Sequence, residues 1–154
     1  GEQARIEEYV VGREVAVSVV DISGEPRALP PVEINIDGLY DYDARYNPGR
    51  AEYFVPARLD DDELAAVNDV AERAHSILGL RHLSRTDVIV QDDGTVMLLD
   101  INVAPGTTET SLFPQAATAE AAARGVDADE IYIEILQAAL RDAEKTDDKA
   151  VAGA

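Results

Sequence analysis

The chain contains no cysteine, so neither a disulfide nor a thiolate metal site can operate in it. No apolar run approaches the ~18 residues of a membrane span, and no basic-then-apolar signal segment opens the sequence. These absences lead to the expectation of a soluble, cytoplasmic protein with no membrane partner. Positive charge is scarce: 13 Lys and Arg stand against 31 Asp and Glu, a formal net charge of −18. A nucleic-acid backbone needs a cationic footprint, so this balance argues against that partner. The negative charge is diffuse, with small clusters at 60–63 and 147–148, and reads as a solvated surface. Lysine is rarest. Only Lys145 and Lys149 occur, both in the polar tail, so phosphate chemistry inside the fold must use arginine or groups outside this chain. What the sequence has in quantity is apolar surface: 46% of 154 residues, enough for one domain with a real core.

The stretch RTDVIVQDDGTVMLLDIN, residues 85–102, has polar ends and an almost wholly apolar middle. Asp-Gly signals a two-residue hairpin loop. With Asp93 and Gly94 as that loop, Asp92 pairs with Thr95, Asp87 falls opposite Asp100, and Arg85 falls opposite Asn102. Strand side chains alternate between faces, so these four share one face with Ile89 and Leu98. The other face carries Thr86, Val88, Val90, Met97, Leu99 and Ile101, which suits a core. A three-residue loop would shift this register unless a bulge restored it. Opposed like charges destabilise a strand pair by up to roughly 1 kcal/mol. Two carboxylates and an amide oxygen in one patch are hard ligands of the kind Mg²⁺ takes. The other reading is a solvated hairpin face whose charges separate by rotamer choice, and spacing alone does not choose between them.

Around this hairpin, the opening segment reads as strand, Gly turn, strand, at 6–11 and then 14–20. A further strand is expected at 32–36. Residues 38–59 hold four tyrosines and no clean period, and form a long ordered loop ending in a short strand at 51–55. Residues 60–78 are a helix, with Asp60, Asp61 and Asp62 at its start and an apolar stripe at Leu64, Val67, Ala71, Ala74 and Leu78. Gly79 stops it. A short helix spans 114–124. The last helix spans 129 to about 143, with Ile131, Ile135, Leu136, Ala139 and Leu140 inward. Residues 1–144 thus form the folded unit, and 145–154 a polar, frayed tail. Strands first, then helices mixed with a hairpin, give an α+β fold with a largely antiparallel sheet and flanking helices.

Taken in order, the motifs EEYVVGREVAV, LPPVEI, YDYDARY, LGLRHLSRTDV and LLDINVAPGTTETSLFP resemble the C-terminal ATP-grasp portion of the D-alanine–D-alanine ligase family. The resemblance runs from about residue 7 to residue 140. It implies ATP and Mg²⁺ (or Mn²⁺) as cofactors, with Asp87, Asp100 and Asn102 as metal ligands. Asp100 stands where the family usually has Glu, so this carboxylate reaches one methylene less far toward a bridging position. Arg85 would neutralise charge on the acyl-phosphate, its plain alternative being a salt bridge to Asp87. Glu7, Glu8 and Val10 would meet adenine, and Glu14 would accept from ribose hydroxyls. Arg45 would sit on phosphate and Tyr46 beside substrate, in a lid that excludes water. Gly106 would help hold the oxyanion, while Ser111 and Leu112 would receive the carboxylate of the second D-alanine.

The reaction implied is ATP-dependent joining of two D-alanines for peptidoglycan, in a cytoplasmic enzyme whose full-length form could be a homodimer. The resemblance also implies parts not found in this sequence: a first-substrate domain, a Gly-rich phosphate loop and two lysines on ATP. The chain is therefore expected to be a portion of a longer ligase and inactive alone. The rival readings are a non-catalytic ATP-grasp-like nucleotide-binding module, and a ligase for another amino acid or for a D-hydroxy acid.

Overall fold

The fold is built on REVAVSVVD, strand β1 (Arg13–Asp21), whose six middle residues are all buried. A strand covered on both faces reads as a nearly continuous apolar run, not as an alternation, and this one does. The computed structural model describes residue 4, residues 6–36 and residues 51–152, without the side chains of 36, 51 and 146–152. The other strands are β2 (Arg27–Ala28), β3 (Val32–Ile36), β4 (Ala51–Phe54), β5 (His82–Val90) and β6 (Val96–Asn102). They form one sheet in the order β4-β3-β1-β5-β6, with β2 added beside the end of β1. Among the described residues every pairing is antiparallel, as the α+β reading requires.

Helix α1 (Asp61–Ile77) covers one face of the sheet. Val67 and Ala71 pack on Val15, Val17, Val19, Val88 and Val90. Its start is fixed by a reciprocal capping box, in which Asp60 accepts from the Glu63 amide and Glu63 from the Asp60 amide. The opposite face carries α2 (Leu112–Arg124) and α3 (Ala128–Ala152). There Phe113, Ala116, Ala117 and Ile131 cover Ala16, Val20, Val32 and Ile34. The Phe113 and Tyr132 rings meet edge to face at 5.2 Å. Gly125, with φ of 69°, ends α2 in the left-handed conformation.

Three expectations fail. No strand forms at 6–11; Ile6 is 93% exposed, and Tyr9 and Val11 are exposed as well. An isolated β segment has no ladder to join, and no described strand lies beside this one. The last helix continues to Ala152, well past 143. Its inward face is Ile131, Ile135 and Ala138, whereas Leu136 and Leu140 are 63% and 65% exposed. Helical period identifies stripes but not which of two stripes meets the core. Ile133, Leu136 and Leu140 form the second stripe, on the outside.

A polar contact lies inside the α1–β5 layer. His75 and Ser84 are both buried, and His75 Nδ1 lies 2.7 Å from Ser84 Oγ. The ring's Nε2 is buried with no hydrogen-bond partner among the described residues. Burial holds the imidazole below its usual value of 6.5, against an opposing pull from Asp21 and the Leu80 main chain. The folded protein therefore resists a proton that the unfolded chain accepts. The His75 contribution is complete above pH 6.5 and is lost progressively as pH falls below it. Urea unfolding midpoints should fall between pH 6.5 and about 5, before carboxylates dominate. His75→Gln should flatten that slope, and an unchanged slope would contradict the assignment.

Candidate active site

The four polar residues of the hairpin lie in register. Asp87 is the partner of Asp100, and Arg85 of Asn102. The tip differs from the two-residue expectation. Gln91 N–H donates to Thr95 O at 2.9 Å, and Gly94 takes φ of 81°, which makes a three-residue loop of Asp92, Asp93 and Gly94. The near-tip pairs shift accordingly: Val90 meets Val96, Ile89 meets Met97, and Val88 meets Leu98. A bulge opposite the Asp87–Val88 step then restores the register. Met97 consequently takes the place expected for Leu98 on the acidic face. Met97 and Leu99, expected in the core, are exposed, while Val96 packs on the α1 side.

Arg85 supplies the first answer to the repulsion between Asp87 and Asp100. It is only 6% exposed and grips Asp87 through both arms, Nε to Oδ1 at 2.7 Å and Nη2 to Oδ2 at 2.8 Å. A paired fork of this kind is geometrically specific and strong. Asp100 is exposed. The Asn102 side-chain oxygen accepts from the Ala104 amide at 3.3 Å, which aims it back over the turn. Among the described residues no group of three or more His, Cys, Asp or Glu could hold a metal. The patch is two carboxylates and one amide oxygen. That set fits Mg²⁺, which keeps several waters and takes few protein ligands, with phosphate oxygens completing the shell.

Glu14 lies on the same face, as the β1 partner of Ile89, and is partly buried. Glu7, Glu8 and Val10 fall on the segment preceding β1; both glutamates are exposed and Val10 is half-buried. The segment is routed by Gly12. A Cβ there would lie 2.4 Å from Val90 O and 2.5 Å from Ile89 Cγ2, so only glycine passes without displacing β5. The sequence pattern marks Gly12 as a turn residue; this close approach to β5 is tertiary, and local pattern does not encode it.

The turn after β6 brings Gly106 against Ser111. A Cβ on Gly106 would meet Ser111 Oγ at 2.6 Å, so the glycine makes room for the hydroxyl. Ser111 is the N-cap of α2, yet its side chain makes no capping bond. Its Oγ lies 2.8 Å from Thr108 Oγ1 instead. The first amides of α2 are thereby left to another acceptor, and a helix start of this kind attracts anions. Leu112 is buried, so only its main chain can face a ligand. Arg45 and Tyr46 lie outside the described residues.

This geometry has relatives. Residues 1–137 match the family described as D-ala D-ala ligase C-terminus. The D-alanine–D-alanine ligase of Halalkalibacterium halodurans is 47% identical over 114 residues, covering 73% of this chain and 37% of that protein. That of Lawsonia intracellularis is 38% identical over 146 residues, covering 94% of this chain and 46% of the other. Among solved structures, the D-alanine–D-alanine ligase of Bacillus anthracis complexed with ATP superposes with a TM-score of 0.69 at 26% identity, over 91% of this chain and 43% of that one. The Coxiella burnetii ligase, at 21% identity and a TM-score of 0.74, shows the likeness of fold alone, over 95% of this chain and 36% of that one. The chain thus spans less than half the length of the relatives it matches. From the motif order, the antiparallel α+β sheet and these matches together, the chain belongs to the D-alanine–D-alanine ligase family, as its C-terminal ATP-grasp portion.

Proposed function

We propose that this chain is the part of a cytoplasmic D-alanine–D-alanine ligase that carries Mg²⁺–nucleotide and receives the second D-alanine, in a longer enzyme that makes the dipeptide for peptidoglycan. One observation carries the reading. Arg85 and Asp87 of β5 stand as cross-strand neighbours of Asn102 and Asp100 on one face, and β6, which carries the latter two, feeds the Ser111 turn. In the reaction, the carboxylate of the first D-alanine attacks the γ-phosphorus of ATP, giving an acyl-phosphate and ADP. The amine of the second attacks the acyl carbon, and phosphate leaves as the peptide bond forms. Mg²⁺, when bound by Asp87, Asp100 and Asn102, supplies Lewis-acid polarisation and a clamp on phosphate oxygens.

The remaining roles belong to the chain's own groups. Arg85, fixed by its grip on Asp87, holds positive charge beside the developing oxyanion without reorganising. Ile89 and Met97 offer an apolar floor next to Glu14, which suits a flat ring above it and ribose hydroxyls on the carboxylate. Glu7, Glu8 and Val10 border the ring's polar edge. The Gly106 amide and the unused α2 amides receive the oxyanion and the second substrate's carboxylate, with Ser111 Oγ and the Leu112 main chain as donors. Arg45, on phosphate, and Tyr46, beside substrate, are assigned by the family's motif order. Homodimerisation belongs to the longer enzyme.

A second reading has its own support. Both Asp87 oxygens and the Asn102 oxygen are already engaged within the chain, which favours a module that binds nucleotide without catalysing ligation. Calorimetric titration of the chain with ADP should show Mg²⁺-dependent binding. Asp100→Asn should weaken it by about tenfold or more, whereas Asp100→Glu should retain or strengthen it. Mg²⁺-independent binding would remove the metal role. Alone, the chain should release no ADP with D-alanine, and turnover at an ordinary ligase rate would refute the assignment as a portion of the enzyme. In a full-length ligase carrying this segment, Gly106→Ala should push Ser111 aside and raise KM for the second D-alanine by roughly tenfold, with KM for ATP little changed. Failure of that ligase to form dipeptide with any D-amino or D-hydroxy acid would favour the binding module.

A further inference from the structure

Where β1 ends and β5 begins lies a second concavity, five strand residues from Asp87 and so about 17 Å along the sheet. It encloses about 310 Å³ and is lined by Arg81, His82, Arg141 and Lys145, with Asp21 and Asp142 also in its wall. The gathering is unusual for this chain. Of only 13 Lys and Arg in a molecule of net charge −18, three line this pocket, together with one of its two histidines. None of them has a place in the ligase chemistry described above.

Two elements converge to build it. Arg81 and His82 come from the lead into β5, and His82 holds φ of 66°, a backbone state uncommon for a non-glycine residue and often kept where a side chain must be aimed. Arg141 and Lys145, one helical turn apart, come from the same face of α3. Both carboxylates already have tasks. Asp21 Oδ1 accepts from the Gly24 amide at 2.7 Å. Asp142 accepts from Lys145 at 3.1 Å and lies 3.9 Å from His82 Nε2. Arg141 is anchored by one donor to Ile22 O at 3.0 Å. The Arg81 guanidinium reaches the Asp142 carboxylate through its charge, helping Lys145 hold it below the usual carboxylate range.

We propose that this pocket binds a phosphate dianion, either free orthophosphate or the phosphate of a small phosphomonoester. Three permanent cations outnumber the two aspartates, whose carboxylates are already engaged, so the pocket favours an anion over a metal ion. One guanidinium fork already satisfies a carboxylate, whereas two guanidinium groups and an ammonium arriving from two directions match the three acceptor oxygens of a phosphate. The volume exceeds one phosphate, which leaves space for a small organic body against Ile22 and Ala138. The inference stands apart from the ligase reading, because no residue is shared.

The test is amide NMR of the full chain titrated with sodium phosphate and, separately, with glycerol phosphate, against sodium chloride at matched ionic strength and pH. Saturable shifts at 81–82 and 141–145 are expected. Arg81→Gln and Lys145→Gln, both at exposed side chains, should each weaken binding roughly fivefold, and Asp142→Asn should tighten it by a similar factor. Tighter binding of glycerol phosphate identifies a phosphomonoester as the ligand, and equal or weaker binding identifies free phosphate. Shifts reproduced by chloride, shifts that do not saturate, or shifts confined to the Ser111 turn would overturn the proposal.

Discussion

The nine-residue antiparallel ladder between β1 and β5, from Arg13 with Val90 to Asp21 with His82, is the constraint on which the rest depends. Its pleat divides the molecule. Val15, Val17 and Val19 turn with Val88 and Val90 toward α1, while Ala16 and Val20 turn toward α2 and α3. The face toward α2 also carries Glu14, Arg85 and Asp87. One residue of slip would send every side chain of one strand to the other face, burying Asp87 against α1 and exposing Val88. The two cores therefore hold the polar groups of the site on their proper side, without those groups contributing to the choice.

On that frame, the site is electrostatically organised from within. A pair of opposed aspartates on adjacent strands is unfavourable by itself. The buried Arg85 fork offsets half of the problem by claiming Asp87, and leaves Asp100 at the surface as the exposed acidic partner. Chemistry and stability are thus joined in one side chain, since a change at Arg85 would both strip the site of its cation and leave a poorly compensated carboxylate in a half-buried position.

Much of this was legible in the sequence where signals were local. The start of α1 at Asp60–Asp62, its stop before Gly79, and the pairing of Asp87 with Asp100 all follow from short-range rules, and the structure bears them out. What was not legible depended on tertiary surroundings. The segment at 6–11 has strand composition but no described neighbouring strand. Leu136 and Leu140 have helical spacing, yet which of two stripes faces the core is set by where α3 lands. Gly12 looks like a turn residue until β5 is placed beneath it. His75 and Ser84 satisfy one another across nine residues of sequence with no motif to announce it. The roles assigned to Glu7, Glu8, Arg45 and Tyr46 rest on family motifs alone.

The bulge between the hairpin tip and the acidic pair lets the two parts of β6 keep separate registers against β5. The same sequence admits a flatter tip with a two-residue loop and no bulge, and in both arrangements Asp87 faces Asp100. Slippage at the tip would exchange Met97 for Leu98 opposite Ile89, yet would leave Asp100 opposite Asp87. The ligand-bearing half of the hairpin is insulated from conformational error at its far end, so drift in the loop can be absorbed without detuning the site.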